Sequence, residues 1–322
     1  MSATPPFQRL GLIGVGLIGS SIARAARAQH AARSIVATAR SAATRRRVAE
    51  LGIADQVVES NAAAVEGADL VIVSVPVGQS GLVAEEIGPH LKPGAIVSDV
   101  GSVKSSVVRD MAPHIPSGAH FIPAHPVAGT EHSGPDAGFA ELFVNRWCIL
   151  TPSEDTDPAA VERLAAFWRL LGARVETMSA EHHDLVLAIT SHVPHLIAYT
   201  IVGTADELSA VTRSEVLQFS AGGFRDFTRI AASDPTMWRD VFLANKDAVL
   251  EMLGTFNEDL SKLTRAIRRG DGDTLFKLFT RTRAIRRGIL AMRQDSPAPD
   301  FGRPHPTLPP EPLPRPYAAD SE

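Results

Sequence analysis

The sequence predicts an α/β protein: an N-terminal doubly wound parallel sheet followed by an all-helical second half. Three observations carry that expectation. Short apolar runs rich in Val and Ile alternate with helically spaced segments through the first half. A glycine pattern stands where the first run meets the first helix. Beyond Ser179 apolar residues recur only at three- and four-residue spacing. Strands alternating with helices are the pattern of a parallel sheet covered on both faces, and the longer period is that of helices alone.

Taken in order, the apolar runs Arg9–Ile13, Ile35–Thr38, Leu70–Val75 and Ala95–Val100 read as strands, with further candidates at His120–Pro123, Trp147–Leu150 and Arg174–Met178. Ser20–Ala28 and Gly78–His90 carry helical spacing between them. In the second half Leu185, Ile189, Leu196 and Tyr199, then Trp238, Val241, Phe242, Val249 and Leu250, mark helix faces. Residues 1–179 are therefore read as a dinucleotide-binding unit and 180–292 as a helical unit. From Ser296 onward the chain holds nine of its 23 prolines, which remove backbone donors and block helices, so 293–322 is read as a Pro-rich tail, disordered or extended.

Composition narrows the classes. The 322 residues are 44% hydrophobic and 21% charged, near the globular average, which sets aside disordered and fibrous chains. A formal charge of −4 lacks the basic stripe of a nucleic-acid binder. The single cysteine, Cys148, forbids an internal disulfide or a thiolate metal cluster, and it is read as buried. Leu185–Gly203 is apolar but broken by His192, Pro194 and His195, which suits a buried helix rather than a bilayer span. No basic region followed by an apolar run opens the chain, so the expectation is a cytoplasmic protein without a membrane partner.

The first strand leads directly into Gly14-Val15-Gly16-Leu17-Ile18-Gly19, the Gly-x-Gly-x-x-Gly spacing of a Rossmann-like unit. Gly14 permits the tight turn, Gly16 lets backbone approach a pyrophosphate, and Gly19 lets helix and strand pack closely. The helix N-terminus then offers free N–H groups to the phosphates. An acidic residue that would hold a ribose 2′-hydroxyl is absent from the second strand, which ends Thr38-Ala39-Arg40-Ser41. Arg40 and Ser41 suit a 2′-phosphate instead, so the cofactor is expected to be NADP in preference to NAD. Arg45, Arg46 and Arg47 read as a solvated helix face.

Polar residues concentrate in three further segments: Asp99-Val100-Gly101-Ser102-Val103-Lys104, His125-Pro126-Val127-Ala128-Gly129-Thr130-Glu131, and Gly222-Gly223-Phe224-Arg225-Asp226-Phe227-Thr228-Arg229. Ser191-His192-Val193-Pro194-His195 lies upstream of the last, and Ser233-Asp234-Pro235-Thr236-Met237-Trp238 follows it. As an ordered set these resemble the prephenate and arogenate (cyclohexadienyl) dehydrogenase family, over about Leu10 to Met292.

That resemblance implies oxidative decarboxylation of prephenate or its amino analogue arogenate, to 4-hydroxyphenylpyruvate or tyrosine, with NAD or NADP. It also implies a homodimer joined through the helical domain. The reaction needs a group that accepts the ring-hydroxyl proton, for which neutral histidine is suited near neutral pH. By resemblance that group is His125, with Ser102 bonding the hydroxyl or orienting the ring. Arg229 would anchor a substrate carboxylate through its planar fork. Arg225 stands where many relatives carry lysine and would reach the partner subunit's site. His195 and Thr130 would complete the pocket, and Glu131 would pair with Arg225 or receive the arogenate ammonium. Cofactor contacts fall to Gly14, Gly16, Leu17, Ile18, Gly19, Arg40, Ser41, Ser74 and Pro76. No metal is required.

Plainer readings stand beside these. Ser102 could cap a helix starting near Val103. His192 reads as a packed core residue, and His182 and His183 as a solvated helix start. Asp226 and Asp234 would cap or brace helix ends, and Tyr199, Phe219, Phe224, Phe227 and Trp238 would pack the core and the interface. A β-hydroxyacid dehydrogenase or imine reductase would use a lysine of the helical half. Here Lys246 and Lys262 are the candidates, and neither sits in a glycine-rich segment. A nucleotide-sensing regulator would have a defective pocket, whereas His125, Ser102 and Arg229 are all present.

Overall fold

The computed structural model describes residues 5–218 and 220–291. The expected tail and Phe219 lie outside the described residues. Six parallel strands form the main sheet: β1 (Phe7–Ile13), β2 (Ala32–Thr38), β3 (Gln56–Val57), β4 (Leu70–Val73), β5 (Ile96–Asp99) and β6 (His120–Phe121). Their order is β3-β2-β1-β4-β5-β6, the doubly wound arrangement in which ligands bind where the order reverses, beside β1 and β4. Helices α1 (Leu17–Ala28), α2 (Ala42–Leu51), α3 (Asn61–Val65), α4 (Ser80–Ile87) and α5 (Ser105–Met111) connect them.

Both faces of the central strands are covered, which explains why they read as continuous apolar runs rather than alternating ones. Leu10, Leu12, Leu70, Ile72 and Ile96 face one core with Ile22, Phe167 and Trp168. Ile13, Val71, Val73 and Val97 face the other with Val65, Ala84, Ile87 and Met111. The two-residue period is hidden in the sequence because each set is apolar.

A second, three-stranded sheet follows, in the order β7 (Ala124–Pro126), β8 (Trp147–Leu150), β9 (Arg174–Thr177), backed by α6 (Pro158–Leu170). β7 runs antiparallel to β8, with His125 opposite Ile149. The runs Trp147–Leu150 and Arg174–Met178 thus belong to a separate sheet, and His125 sits within a strand rather than in a loop following one. Three residues ending in proline offer neither alternation nor length, so β7 has no sequence signal.

No strand follows β9 among the described residues. The second half comprises α7 (Ala180–Leu187), α8 (Val193–Gln218), α9 (Gly222–Thr228), α10 (Pro235–Ala244), α11 (Lys246–Arg269) and α12 (Gly272–Ala291). Between α7 and α8 the chain makes a π-helical turn, Ala188–His192. Such turns re-aim side chains and recur at functional sites. Val103, from the loop after β5, packs on Trp238 and Val241 of α10 and ties the halves together.

By length and composition the helical run Ala180–Glu207 could cross a membrane. His183, Asp184 and His192 within it are buried and bonded into the protein, but Leu185, Ile189, Ile201 and Val202 are exposed, so the run is only partly buried rather than the buried helix expected. Apolar side chains remain exposed along the helical half, among them Ile201 and Val202 on α8, Leu250 and Ile267 on α11, and Phe276 and Phe279 on α12.

Candidate active site

β1 ends where Gly14 takes φ +85°, and its N–H donates to the Thr38 carbonyl at 2.9 Å. A Cβ there would meet the Ser74 carbonyl oxygen at 2.3 Å, and one on Gly19 would meet the Gly14 oxygen at 2.2 Å. Both positions therefore require glycine for close packing. Gly16 differs: a Cβ would meet nothing within 4 Å, so this glycine leaves a bare backbone cradle. It also N-caps α1 without a side-chain hydrogen bond, so the first N–H groups of the helix, beginning at Leu17 and Ile18, face outward. A cradle with free donors at the switch point of the sheet fits a dinucleotide pyrophosphate.

Ser74 lies against this loop, its N–H donating to Ile13 O at 2.6 Å, and Pro76 opens the short turn that leads to α4. Arg40 is exposed at the end of β2. Ser41 caps α2, accepting from Thr44 N at 3.0 Å. Of the arginines read as a solvated face, Arg46 and Arg47 are exposed, and two of the three make defined contacts. Arg45 donates to the Ala39 and Arg40 carbonyls, and Arg47 binds Asp136 through Nε and Nη2 and Glu50 through Nη1.

β5 delivers Asp99 and, beyond the turn, Lys104, both buried. Lys104 Nζ lies 2.5 Å from Asp99 Oδ2 and donates to the Ala124 carbonyl at 2.7 Å. Asp99 Oδ1 accepts from Ala124 N at 3.2 Å. One ion pair therefore grips both backbone groups of the residue preceding His125 and fixes the strand that carries it. Burial pushes the Lys104 ammonium below its usual pKa, with Asp99 opposing.

His125 is buried, and its Nδ1 stands 2.8 Å from His183 Nε2. His183 Nδ1 stands 2.9 Å from Asp184 Oδ1. Asp184 further accepts from Lys104 N at 2.7 Å and Ser105 N at 2.8 Å. α5 thus starts at Ser105 with the Asp184 carboxylate at its N-terminus, and Ser102 lies ahead of the helix rather than capping it. Burial, then His183, Lys104 and His192, holds the His125 imidazole well below the ordinary histidine pKa. Burial lowers His183 too, although Asp184 opposes it. Burial raises the Asp184 carboxyl, but the His183 ring and the Lys104 and Ser105 N–H groups outweigh it, and the group stays below the ordinary carboxyl value.

The π-helical turn places His192 in the same buried region, its Nδ1 3.1 Å from Asn245 Nδ2, and burial lowers its pKa to about 4. His195 stacks on Trp238 with ring centroids 3.6 Å apart and is electrostatically coupled to Arg229. Arg229 donates to Glu131 at 3.0 Å. Glu131 therefore pairs with Arg229 and not with Arg225, which is exposed on α9. Thr130 Oγ1 accepts from His132 N at 3.3 Å within the Glu131 loop. His192 thus acts electrostatically on His125 and Arg229 on His195, and Arg229 is paired with Glu131.

The sequence reading of His183 as solvated is corrected: it is fully buried, whereas His182 is exposed. Four consecutive polar residues, Glu181 to Asp184, masked it. Helical phase is the signal that could have found it, because His183 and Asp184 share a face with Leu187 and Ala188, four residues on. Asp99, Lys104 and Asn245 were likewise unassigned. Asp234 caps α10 through Met237 N, whereas Asp226 lies inside α9. Cys148 is buried.

Comparison with known proteins follows the same division of the chain. The nucleotide-binding domain of prephenate dehydrogenase matches residues 22–177, and the prephenate dehydrogenase dimerization domain matches residues 179–281. A cyclohexadienyl dehydrogenase of Zymomonas mobilis is 44% identical over 290 residues, covering 90% of this chain and 97% of that protein. A prephenate dehydrogenase of Bacillus subtilis is 36% identical, covering 90% of this chain and 78% of that one. Among solved structures, prephenate dehydrogenase from A. aeolicus in complex with hydroxyphenyl propionate and NAD+ superposes with a TM-score of 0.82 at 34% identity, covering 88% of this chain and 98% of that one.

Proposed function

The chain belongs to the prephenate dehydrogenase family, and from that premise we infer that it oxidatively decarboxylates prephenate, arogenate or both, in tyrosine biosynthesis, with NAD(P)+ as electron acceptor. The observation that carries this reading is the His125 imidazole, buried and kept neutral where the nucleotide-binding half meets the helices.

A neutral ring can accept the proton of the substrate's ring hydroxyl as that carbon becomes carbonyl-like, and loss of carbon dioxide then restores aromaticity. His125 is that base, and Ser102 hydrogen-bonds the same hydroxyl. Arg229 binds one substrate carboxylate, with His195 and Thr130 around the side chain and Glu131 available to an arogenate ammonium. Arg225, exposed on α9, reaches toward the partner subunit. When bound, the nicotinamide supplies the two-electron acceptor. Gly14, Gly16, Leu17, Ile18 and Gly19 hold its pyrophosphate, with Ser74 and Pro76 alongside. Arg40 and Ser41 receive the adenosine ribose, and the absence of a carboxylate there favours NADP over NAD.

The exposed apolar side chains of α8, α11 and α12 form the interface of a homodimer, in keeping with the dimerization domain matched over this half. The test is turnover, followed by near-ultraviolet absorbance of the reduced cofactor, with prephenate and arogenate each paired with NAD+ and NADP+. Formation of reduced cofactor with either substrate supports the reading, and none with any pair overturns it. A higher kcat/KM with NAD+ would remove the NADP preference alone.

A further inference from the structure

We propose that His183 and Asp184 are positioning residues that hold His125 in a single tautomer, Nδ1 protonated and Nε2 bare, so that Nε2 is the nitrogen presented to substrate. The proposal rests on the reading of His125 as the base, and it follows from the polarity of one hydrogen-bonded chain.

Asp184 fixes the direction. Its carboxylate accepts two backbone N–H groups, from Lys104 at 2.7 Å and Ser105 at 2.8 Å, and both arrangements favour the ionised form. An ionised carboxylate has no proton to give, so the contact at 2.9 Å requires His183 Nδ1–H to donate. A neutral His183 then has only a lone pair at Nε2. That lone pair lies 2.8 Å from His125 Nδ1, which must carry the proton. The remaining nitrogen of His125, Nε2, is left as an acceptor.

Reversing the chain would aim a bare His183 Nδ1 at the Asp184 carboxylate, lone pair against lone pair. A doubly protonated His125 is opposed by burial and by the nearby Lys104 ammonium. The titratable groups around the pair are Lys104 and Asp99 from β5 and its following loop, Cys148 from β8, His192 from the π-helical turn, and Asp184 itself. Of these, Asp184 is the one that touches the chain's end, and its protonation would release the polarity. The arrangement also serves the product of proton uptake. Once Nε2 is protonated, the cationic ring stays connected through His183 to a carboxylate two bonds away.

The test uses the full-length enzyme with His183→Gln and His183→Leu. A glutamine amide can accept from His125 Nδ1 through its oxygen and donate to Asp184 through its nitrogen, so it preserves the polarity without an imidazole. Leucine preserves neither. The expected result is a loss in kcat on the order of 10²-fold or more for His183→Leu at a KM within about threefold of wild type, and recovery by His183→Gln to within about tenfold.

Nitrogen-15 spectra of histidine-labelled protein, assigned with His125→Asn, read the tautomer directly in the resting enzyme. Wild type and His183→Gln should show His125 with Nδ1 protonated and Nε2 bare, and a folded His183→Leu should lose that preference. The proposal is overturned by a resting His125 protonated at Nε2, by His183→Leu with wild-type kcat, or by a folded His183→Gln as impaired as leucine. Should His183→Leu fail to fold, the wild-type and glutamine spectra decide. Failure of wild type to oxidise either substrate removes the functional reading alone, because the spectra need no turnover.

Discussion

At the scale of single residues, the proposed function separates groups that would meet the substrate from groups that would aim them. His125→Asn should retain prephenate binding while kcat falls by about 10²–10⁴-fold, the contribution of a positioned general base. Equal losses in binding and turnover would contradict that role. Arg229→Ala should instead raise KM for prephenate with a smaller effect on kcat, because a carboxylate anchor holds the ground state as well as the transition state. Steady-state kinetics of the two variants side by side make the comparison.

Arg229 was assigned through the resemblance of its glycine-led segment to the family, because a motif carries its own neighbours in the sequence. His183 was not readable that way. Its identity as a buried partner depends on Asp184, Lys104 and the start of α5, which meet it only after residues some 80 positions apart fold together.

At the scale of elements, the strand–loop–helix unit at β1 and α1 makes two contrasting glycine predictions. Gly14→Ala places a side chain at positive φ and against the Ser74 carbonyl, so it should lower the melting temperature clearly. Gly16→Ala meets no protein atom, at an extended φ of −86° that any residue adopts. It should melt like wild type yet raise KM for the dinucleotide by about tenfold, roughly 1.4 kcal/mol of lost binding. A Gly16→Ala protein with unchanged cofactor KM would mean that the cradle is not used.

β7 makes a different kind of claim, because the buried Lys104–Asp99 pair anchors it. Removing one member leaves an uncompensated buried charge, which typically costs about 3–5 kcal/mol. Lys104→Met should therefore lose that order of stability in denaturant titration, together with activity, although Lys104 need not touch substrate. Of the main sheet, β1, β2, β4 and β5 were legible from their apolar runs. β3 and β7 were too short to have a pattern, and the π-helical turn carries ordinary helical composition, so neither period nor propensity marks it.

At the scale of the whole molecule, the buried imidazoles couple stability to acidity. His125, His183 and His192 all have pKa values below that of an exposed histidine, so each stays neutral in the fold while the unfolded chain takes up a proton. Below the unfolded value of 6.5 the unfolded state binds more protons, and stability therefore falls as pH falls. For His192 the loss runs from 6.5 down to about 4 and reaches roughly 3 kcal/mol. Denaturant midpoints should drop steadily between about pH 7 and pH 5, a window in which the depressed Asp184 carboxyl does not yet titrate. A flat profile would require protonated imidazoles to be accommodated in the fold. The overall division into a parallel sheet and a helical half was legible from periodicity alone. The way the halves meet was not, because it depends on contacts such as Val103 with Trp238 that no local pattern encodes.

The Glu131–Arg229 contact has a bearing on selectivity. With its guanidinium already paired, an anchor at Arg229 should not act as a general sink for small inorganic ions. A visitor that delivers its own carboxylate to Arg229, and satisfies other contacts at the same time, should displace Glu131 most readily. Ordinary buffer anions would then compete poorly, and the enzyme would tolerate a salty medium better than one relying on an open basic patch.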